Sequence, residues 1–197
     1  MKDNYSPFDI GQRFTVVPAT NFTVEKNRIK LIMDRGAFGS GEHETTQSCL
    51  EILENLPALK KLKSLDLGSG TGILTIASQL LNPGPAWCVD IEQSAVISGQ
   101  RNCRLNHVDQ NITHICGTLD DIKENNFDLI LANIYGDILL DVAEELVNKA
   151  ETGALLLLSG ILWEYNFDVR KKYQALGCQL IKNRLLSEYS TILMQKT

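Results

Sequence analysis

Apolar positions along this chain fall into two alternating rhythms. Leu65 and Leu67 mark a short strand over residues 63–68, and then Ile73, Leu74, Ile76, Ala77, Leu80 and Leu81 recur at spacings of three and four, which predicts a strand followed by an amphipathic helix. Pro83-Gly84-Pro85 ends that helix. The rhythm repeats with a strand at 86–90, a helix at 94–105 and a strand at 112–116. Residues 127–134 are almost continuously apolar, as expected for a strand covered by helices on both faces. Ile138, Leu139, Val142, Ala143, Leu146 and Val147 mark the next helix, 153–159 a fifth buried strand, and 163–176 a helix stopped by Gly177. The last two runs, 179–186 and 189–195, lie too close together for a crossover helix and predict an antiparallel hairpin. The expected fold is α/β: a doubly wound, mostly parallel seven-stranded sheet with an antiparallel last strand. Ahead of it, strand-like pieces at 13–17 and 28–33 predict a short N-terminal β arm or hairpin over 1–34, anchored by Phe8, Phe14 and Phe22, with 35–197 as the α/β domain.

Composition narrows the class without naming a function. A chain of 197 residues buries one ordinary core. Its 19 basic and 24 acidic residues are scattered, so no basic stripe points to nucleic acid. The five cysteines form no CxxC pair and fall mostly inside predicted elements, which fits reduced thiols in the cytoplasm. The start, Lys2 and Asp3 included, is polar rather than leader-like, and the longest aliphatic run, 154–158, is too short to span a bilayer. Cys103, His107, His114 and Cys116 straddle a helix end and a strand rather than a metal-ligand spacing, so no metal is expected.

The chemistry concentrates where the strand at 63–68 meets its helix. Gly68, Gly70 and Gly72 allow a tight turn and close approach of a ligand to the helix N-terminus. A dinucleotide turn places its third glycine three residues after the second, where this chain has Ile73. The pattern is instead G-x-G-x-G preceded by Asp66, which resembles class I methyltransferases, and the acid suits the ammonium of S-adenosylmethionine. Asp90, ending the next strand, is placed to accept from both ribose hydroxyls, a feature that nicotinamide cofactors share. Asn133, ending the apolar strand, offers an amide oxygen beside the Ile134 carbonyl to an incoming amine. His43, between Glu42 and Glu44 near a helix whose expected caps are Thr45 or Thr46, reads as a loop organiser before it reads as a base. Amine acceptors must be neutral to react. At pH 7 deprotonation costs about 4.6 kcal/mol for a lysine but only about 1.4 kcal/mol for an α-amine.

Four motifs in order give a closer likeness. Ala37-Phe38-Gly39-Ser40-Gly41-Glu42-His43-Glu44-Thr45-Thr46, the turn from Asp66 to Gly72, Ala132-Asn133-Ile134, and Leu158-Ser159-Gly160-Ile161-Leu162 resemble the ribosomal protein L11 methyltransferase family from about Phe14 onward. The first motif departs from the family's A-F-G-T-G-x-H-x-T-T only at Ser40. The resemblance implies that Phe38, Gly39, Thr45 and Thr46 belong to a loop over the cofactor, that Asp66, Gly68 and Gly70 surround its methionine end, and that Asp90 holds its ribose. It implies that Asn133 stands beside the transferred methyl. Gly117-Thr118-Leu119 corresponds to the family's G-D-L near the adenine. Thr118 replaces the acid, so Leu119 keeps the place while Asp120 or a backbone group is left to make the contact. Full-length family members resemble two-domain enzymes with an N-terminal recognition domain, and before Phe14 this chain has room only for the linker. Both a fragment and a stand-alone catalytic domain fit that. The implied activity is transfer of methyl from S-adenosylmethionine to amino groups, of a protein and in the first place a ribosomal one, in the cytoplasm. A small-molecule N-methyltransferase and a non-catalytic cofactor-binding module are the alternatives.

Overall fold

The computed structural model describes residues 5–19, 27–34, 41–57 and 62–197. Three strands come first, β1 (Phe8–Ile10), β2 (Phe14–Pro18) and β3 (Ile29–Met33), followed by α1 (Glu44–Leu53). The alternating units are then β4 (Ser64–Leu67), α2 (Ile73–Leu81), β5 (Ala86–Asp90), α3 (Gln93–Leu105), β6 (Ile112–Cys116) and β7 (Phe127–Asn133). After them come α4 (Gly136–Asp141), α5 (Ala143–Lys149), β8 (Ala150–Leu162), α6 (Trp163–Ala175), β9 (Cys178–Leu185) and β10 (Tyr189–Lys196).

The large sheet has the order β6-β5-β4-β7-β8-β10-β9, with β10 antiparallel to both its neighbours. From β4 the chain builds outward through β5 to β6, then returns to the other side of β4 with β7. That reversal leaves a crevice beyond the carboxyl ends of β4 and β7, where open parallel sheets bind ligands. The apolar runs of β7 and β8 are continuous because each strand feeds two cores. Leu129, Leu131, Leu155 and Leu157 pack with α1, α2 and the N-terminal sheet, whereas Ile130, Ala132, Leu156 and Leu158 pack with α4, α5 and α6. Among the described residues no helix is long and apolar enough to cross a membrane. Cys49, Cys88, Cys103 and Cys178 are buried thiols, and Cys116 is exposed.

Three local expectations need revision. The helical stretch around 138–147 bends at Val142 into α4 and α5. Strand β8 extends beyond 153–159 at both ends, since Ala150 pairs with Phe127 and Leu162 with Tyr189. In the arm, the two strands expected for a hairpin run parallel, and the antiparallel partner of β2 is β1. Arg28 supplies the reason. Its guanidinium donates to the carbonyls of Gly11, Gln12 and Phe14 and to the Thr15 hydroxyl, and it pairs with Asp9 at 3.1 Å. The start of β3 is thereby held beside the start of β2, which is a parallel arrangement. Phe14 is fully buried in this region, while Phe22 lies outside the described residues.

Glu54, just past α1, locks the arm to the main body. Its carboxylate, 8% exposed, accepts from the N–H groups of Gln12 (3.0 Å) and Arg13 (2.8 Å) in the β1–β2 turn, and Arg13 donates back to the Glu54 carbonyl at 3.3 Å. Gly11 turns there with φ of +56°, and a Cβ in its place would strike that carboxylate. Replacing Glu54 by Ala strands these donors, so we expect a loss of about 2–3 kcal/mol in urea unfolding. Hydrogen exchange should accelerate first at the Gln12 and Arg13 amides; unchanged protection there would show that the carboxylate does not hold the turn.

Candidate active site at the sheet crevice

At the end of β4 the backbone enters the left-handed region three times, at Gly68 (φ +70°), Gly70 (φ +53°) and Gly72 (φ +78°). The N–H groups of Gly68 and Ser69 both donate to the Val89 carbonyl, at 2.8 and 3.0 Å. A Cβ at Gly68 would collide with the Ile134 side chain, so the glycine lets the turn close against the end of β7. Gly99 in α3 was not singled out from the sequence. A Cβ there would lie 3.3 Å from the Gly70 carbonyl, tighter than an ordinary contact, and the missing side chain lets α3 approach the turn. A glycine inside an otherwise helical run was the available signal.

Two carboxylates flank the turn and differ in environment. Asp90, partly exposed at the end of β5, accepts from the Gly70 N–H at 2.9 Å through Oδ2 and from the Glu92 N–H at 3.0 Å through Oδ1. It is thus joined to the glycine turn across the strand gap, with acceptor capacity remaining on each oxygen. Asp66 is 3% exposed and sits beneath the turn, where Oδ2 accepts from the Thr75 hydroxyl at 2.6 Å. Thr75 also contacts the Cys88 thiol at 3.1 Å. Burial pushes the Asp66 carboxyl up to about 6; the Thr75 hydrogen bonds oppose that rise, and the charge of Asp90 adds to it.

The opposite wall is formed by α1 and β7. The cap falls two residues before Thr45, the earlier of the two threonines expected to provide it: His43 is the N-cap, and its Nδ1 accepts from the Thr45 N–H at 3.4 Å and lies 2.8 Å from the Thr45 hydroxyl. The imidazole also meets the Tyr189 ring edge-on with centroids 5.2 Å apart. Thr45 and Thr46 are 3% and 2% exposed, so they serve neighbours on their own wall. The Thr46 hydroxyl accepts from Asn133 Nδ2 at 3.3 Å, which leaves Oδ1 as the acceptor of that amide. Glu44 accepts from the N–H groups of Ser187 (3.1 Å) and Glu188 (3.3 Å) in the β9–β10 turn. Burial opposes its charge, but the bonds from this turn outweigh it and hold the carboxyl below its ordinary range. Gly160, with φ of +78°, is a further glycine required at the site, since a Cβ there would lie 2.6 Å from the Ile134 carbonyl oxygen.

The structure therefore brings Gly68, Gly70, Asp90, Asn133 and Ile134 together at the ends of β4, β5 and β7, with Asp66 buried beneath the turn, Thr46 buried behind Asn133 and Thr45 buried at the start of α1. Leu119 stands apart in one respect. It opens a short turn (Leu119–Asp121) capped by the Thr118–Asp121 pair, and the residue is 3% exposed, with its side chain packed in the core. Phe38 and Gly39 lie outside the described residues. Among the described residues no group of three or more His, Cys, Asp or Glu side chains is placed to hold a metal ion.

Comparison with known proteins gives a consistent likeness. The profile of the family described as ribosomal protein L11 methyltransferase matches residues 1–197. Curated relatives called ribosomal protein L11 methyltransferase include one from Trichlorobacter lovleyi, 38% identical over 179 residues, covering 87% of this chain and 58% of that protein. Another, from Pelobacter propionicus, is 37% identical over 190 residues, covering 93% and 60%. The chain thus spans about three fifths of the length of these relatives. A crystal structure of ribosomal protein L11 methylase from Lactobacillus delbrueckii subsp. bulgaricus superposes with a TM-score of 0.88 at 25% identity, covering 98% of this chain and 100% of that one.

The Asp66–Thr75 pair predicts a pH signature. Because the folded carboxyl titrates near 6 and the unfolded one near 3.8, the native state keeps a proton that the unfolded chain has released. This group therefore costs stability as pH rises through that window. Thr75→Val removes the donor that the ionised form needs most. We expect it to destabilise by about 2 kcal/mol at pH 8 and by less than half of that at pH 5, measured by urea unfolding; equal losses at both pH values would mean that Asp66 does not titrate in the fold.

Proposed function

The chain belongs to the ribosomal protein L11 methyltransferase family, and on that premise we propose that it is the catalytic unit of an S-adenosylmethionine-dependent methyltransferase acting on protein amino groups. The acceptor we propose is the one in the relatives' names, ribosomal protein L11. The reading is carried by one observation above others: the glycine turn, Asp90 and Asn133 converge at the point where the strand order reverses. In domain terms we propose residues 35–197 as the catalytic domain and 1–34 as an arm packed on it.

The residues present fit this cofactor. The turn offers backbone free of Cβ atoms at Gly68, Gly70 and Gly72, and Asp90 retains acceptor capacity beyond its two backbone bonds. Bound there, the sulfonium would supply an activated methyl and a neutral thioether leaving group. Asp90 would accept from the ribose hydroxyls, and the buried Asp66 would favour positive charge above it through the turn. Asn133 Oδ1 and the Ile134 carbonyl would accept hydrogen bonds from a neutral acceptor amine and aim its lone pair, while Thr46 keeps the Asn133 amide in that orientation. Nothing in this set demands a strong base, which favours acceptors whose deprotonation is inexpensive, an α-amine before a lysine.

The direct test is transfer of labelled methyl from S-adenosylmethionine to purified ribosomal protein L11, run beside an extract from cells lacking this protein. Label on L11 supports the reading; label on another protein or on small amines alone changes the acceptor, and cofactor binding without any transfer leaves a binding module. Asp90→Ala should weaken cofactor binding more than tenfold, about 1.4 kcal/mol or above, in calorimetric titration, and near-unchanged affinity would remove the ribose assignment. Asn133→Ala should slow turnover at saturating cofactor while changing cofactor affinity by no more than about threefold. Equal losses in both would make Asn133 a binding residue only.

A further inference from the structure

Asn102, in the last turn of α3, is fully buried, and its amide is fully engaged. Oδ1 accepts from the Asp34 N–H at 2.8 Å, and Nδ2 donates to the Thr71 carbonyl at 3.0 Å and to the Asp34 carbonyl at 3.4 Å. One helical turn later Asn106 repeats half of this, accepting from the Ile32 N–H at 2.8 Å and donating to the Ile32 carbonyl at 2.7 Å. The two amides act as a strand edge for the end of the arm. Only Asn102 also reaches the glycine turn.

That reach lands on a critical peptide plane. The Thr71 carbonyl shares its plane with the Gly72 N–H, which donates to the Ser69 carbonyl at 2.8 Å. Both ends of the plane are therefore tied, where it joins Thr71 to the left-handed Gly72, whose torsion would otherwise leave it freer to turn. The same amide fixes Asp34, the residue from which the chain leaves toward Phe38 and Gly39.

Resting on the cofactor reading above, we infer that Asn102 is a positioning residue for S-adenosylmethionine. It sets the Thr71 peptide plane and ties the end of the arm to it, so the turn meets the cofactor already ordered. Asn106 is the internal comparison, because it docks the arm without touching the turn.

The test compares Asn102→Leu with Asn106→Leu, by thermal unfolding and by calorimetric titration with S-adenosylhomocysteine. Both should lower Tm to a similar extent, whereas only Asn102→Leu should weaken binding, by about tenfold or more against about twofold or less for Asn106→Leu. Should Asn102→Leu fail to fold, Asn102→Asp retains the acceptor for Asp34 and loses the donor to Thr71. Its affinity relative to the unmodified chain should then recover as pH falls from about 8 to about 5, where a protonated carboxyl donates as the amide does. Equal weakening in the two leucine variants, unmodified affinity in Asn102→Leu, or a pH-independent ratio for Asn102→Asp would overturn the role of Asn102 and leave the cofactor reading standing. Failure of the unmodified chain to bind would overturn the cofactor reading and this inference together.

Discussion

Everything at the crevice depends on a turn that is unstable by itself. Three left-handed glycines within five residues carry more backbone freedom than residues with side chains would, and folding must remove it. The restraints come from outside: the Val89 carbonyl takes two N–H groups, Asp90 takes the Gly70 N–H, Asn102 holds the Thr71 carbonyl, and Gly99 lets α3 come close. Because each restraint comes from another element, the turn takes its shape only when β5 and α3 are in place. That is the sense in which the site proposed for the cofactor is preorganised.

The second wall obeys the same logic with different chemistry. Helix α1 is fixed at its start by its own His43 and by the β9–β10 turn, whose N–H groups Glu44 accepts, and further along by the Arg184–Glu51 ion pair. Its Thr46 then orients Asn133 on a neighbouring element. The C-terminal hairpin, far from the glycines in sequence, thus stands behind the placement of the group proposed to receive the amine.

Electrostatics across the crevice is uneven by construction. Asp90 is tied to backbone donors and partly open to water, whereas Asp66 is sealed under the turn and holds its proton to about 6. A cation above the turn would therefore meet one acid at the surface and one sealed beneath it, whose charge changes near pH 6.

Much was legible in the chain itself. The alternation of apolar runs specified the strand and helix order, because periods of two and 3.6 are local properties, and the glycine spacing with Ile73 in the third place separated this turn from a dinucleotide one. What only the tertiary structure decided depends on partners far apart in sequence. The arm strands run parallel because Arg28 binds carbonyls just before and at the start of β2, a choice no local pattern encodes. Asp66 lies beneath the turn rather than open to the crevice because its strand turns that position toward Thr75 and Cys88. Leu119 keeps its motif position yet buries its side chain, and Gly99, Gly160 and Asn102 acquire their roles only from what packs against them. Sequence periodicity thus determined the elements and the chemistry they carry, whereas long-range hydrogen bonds and close approach determined which atoms that chemistry presents.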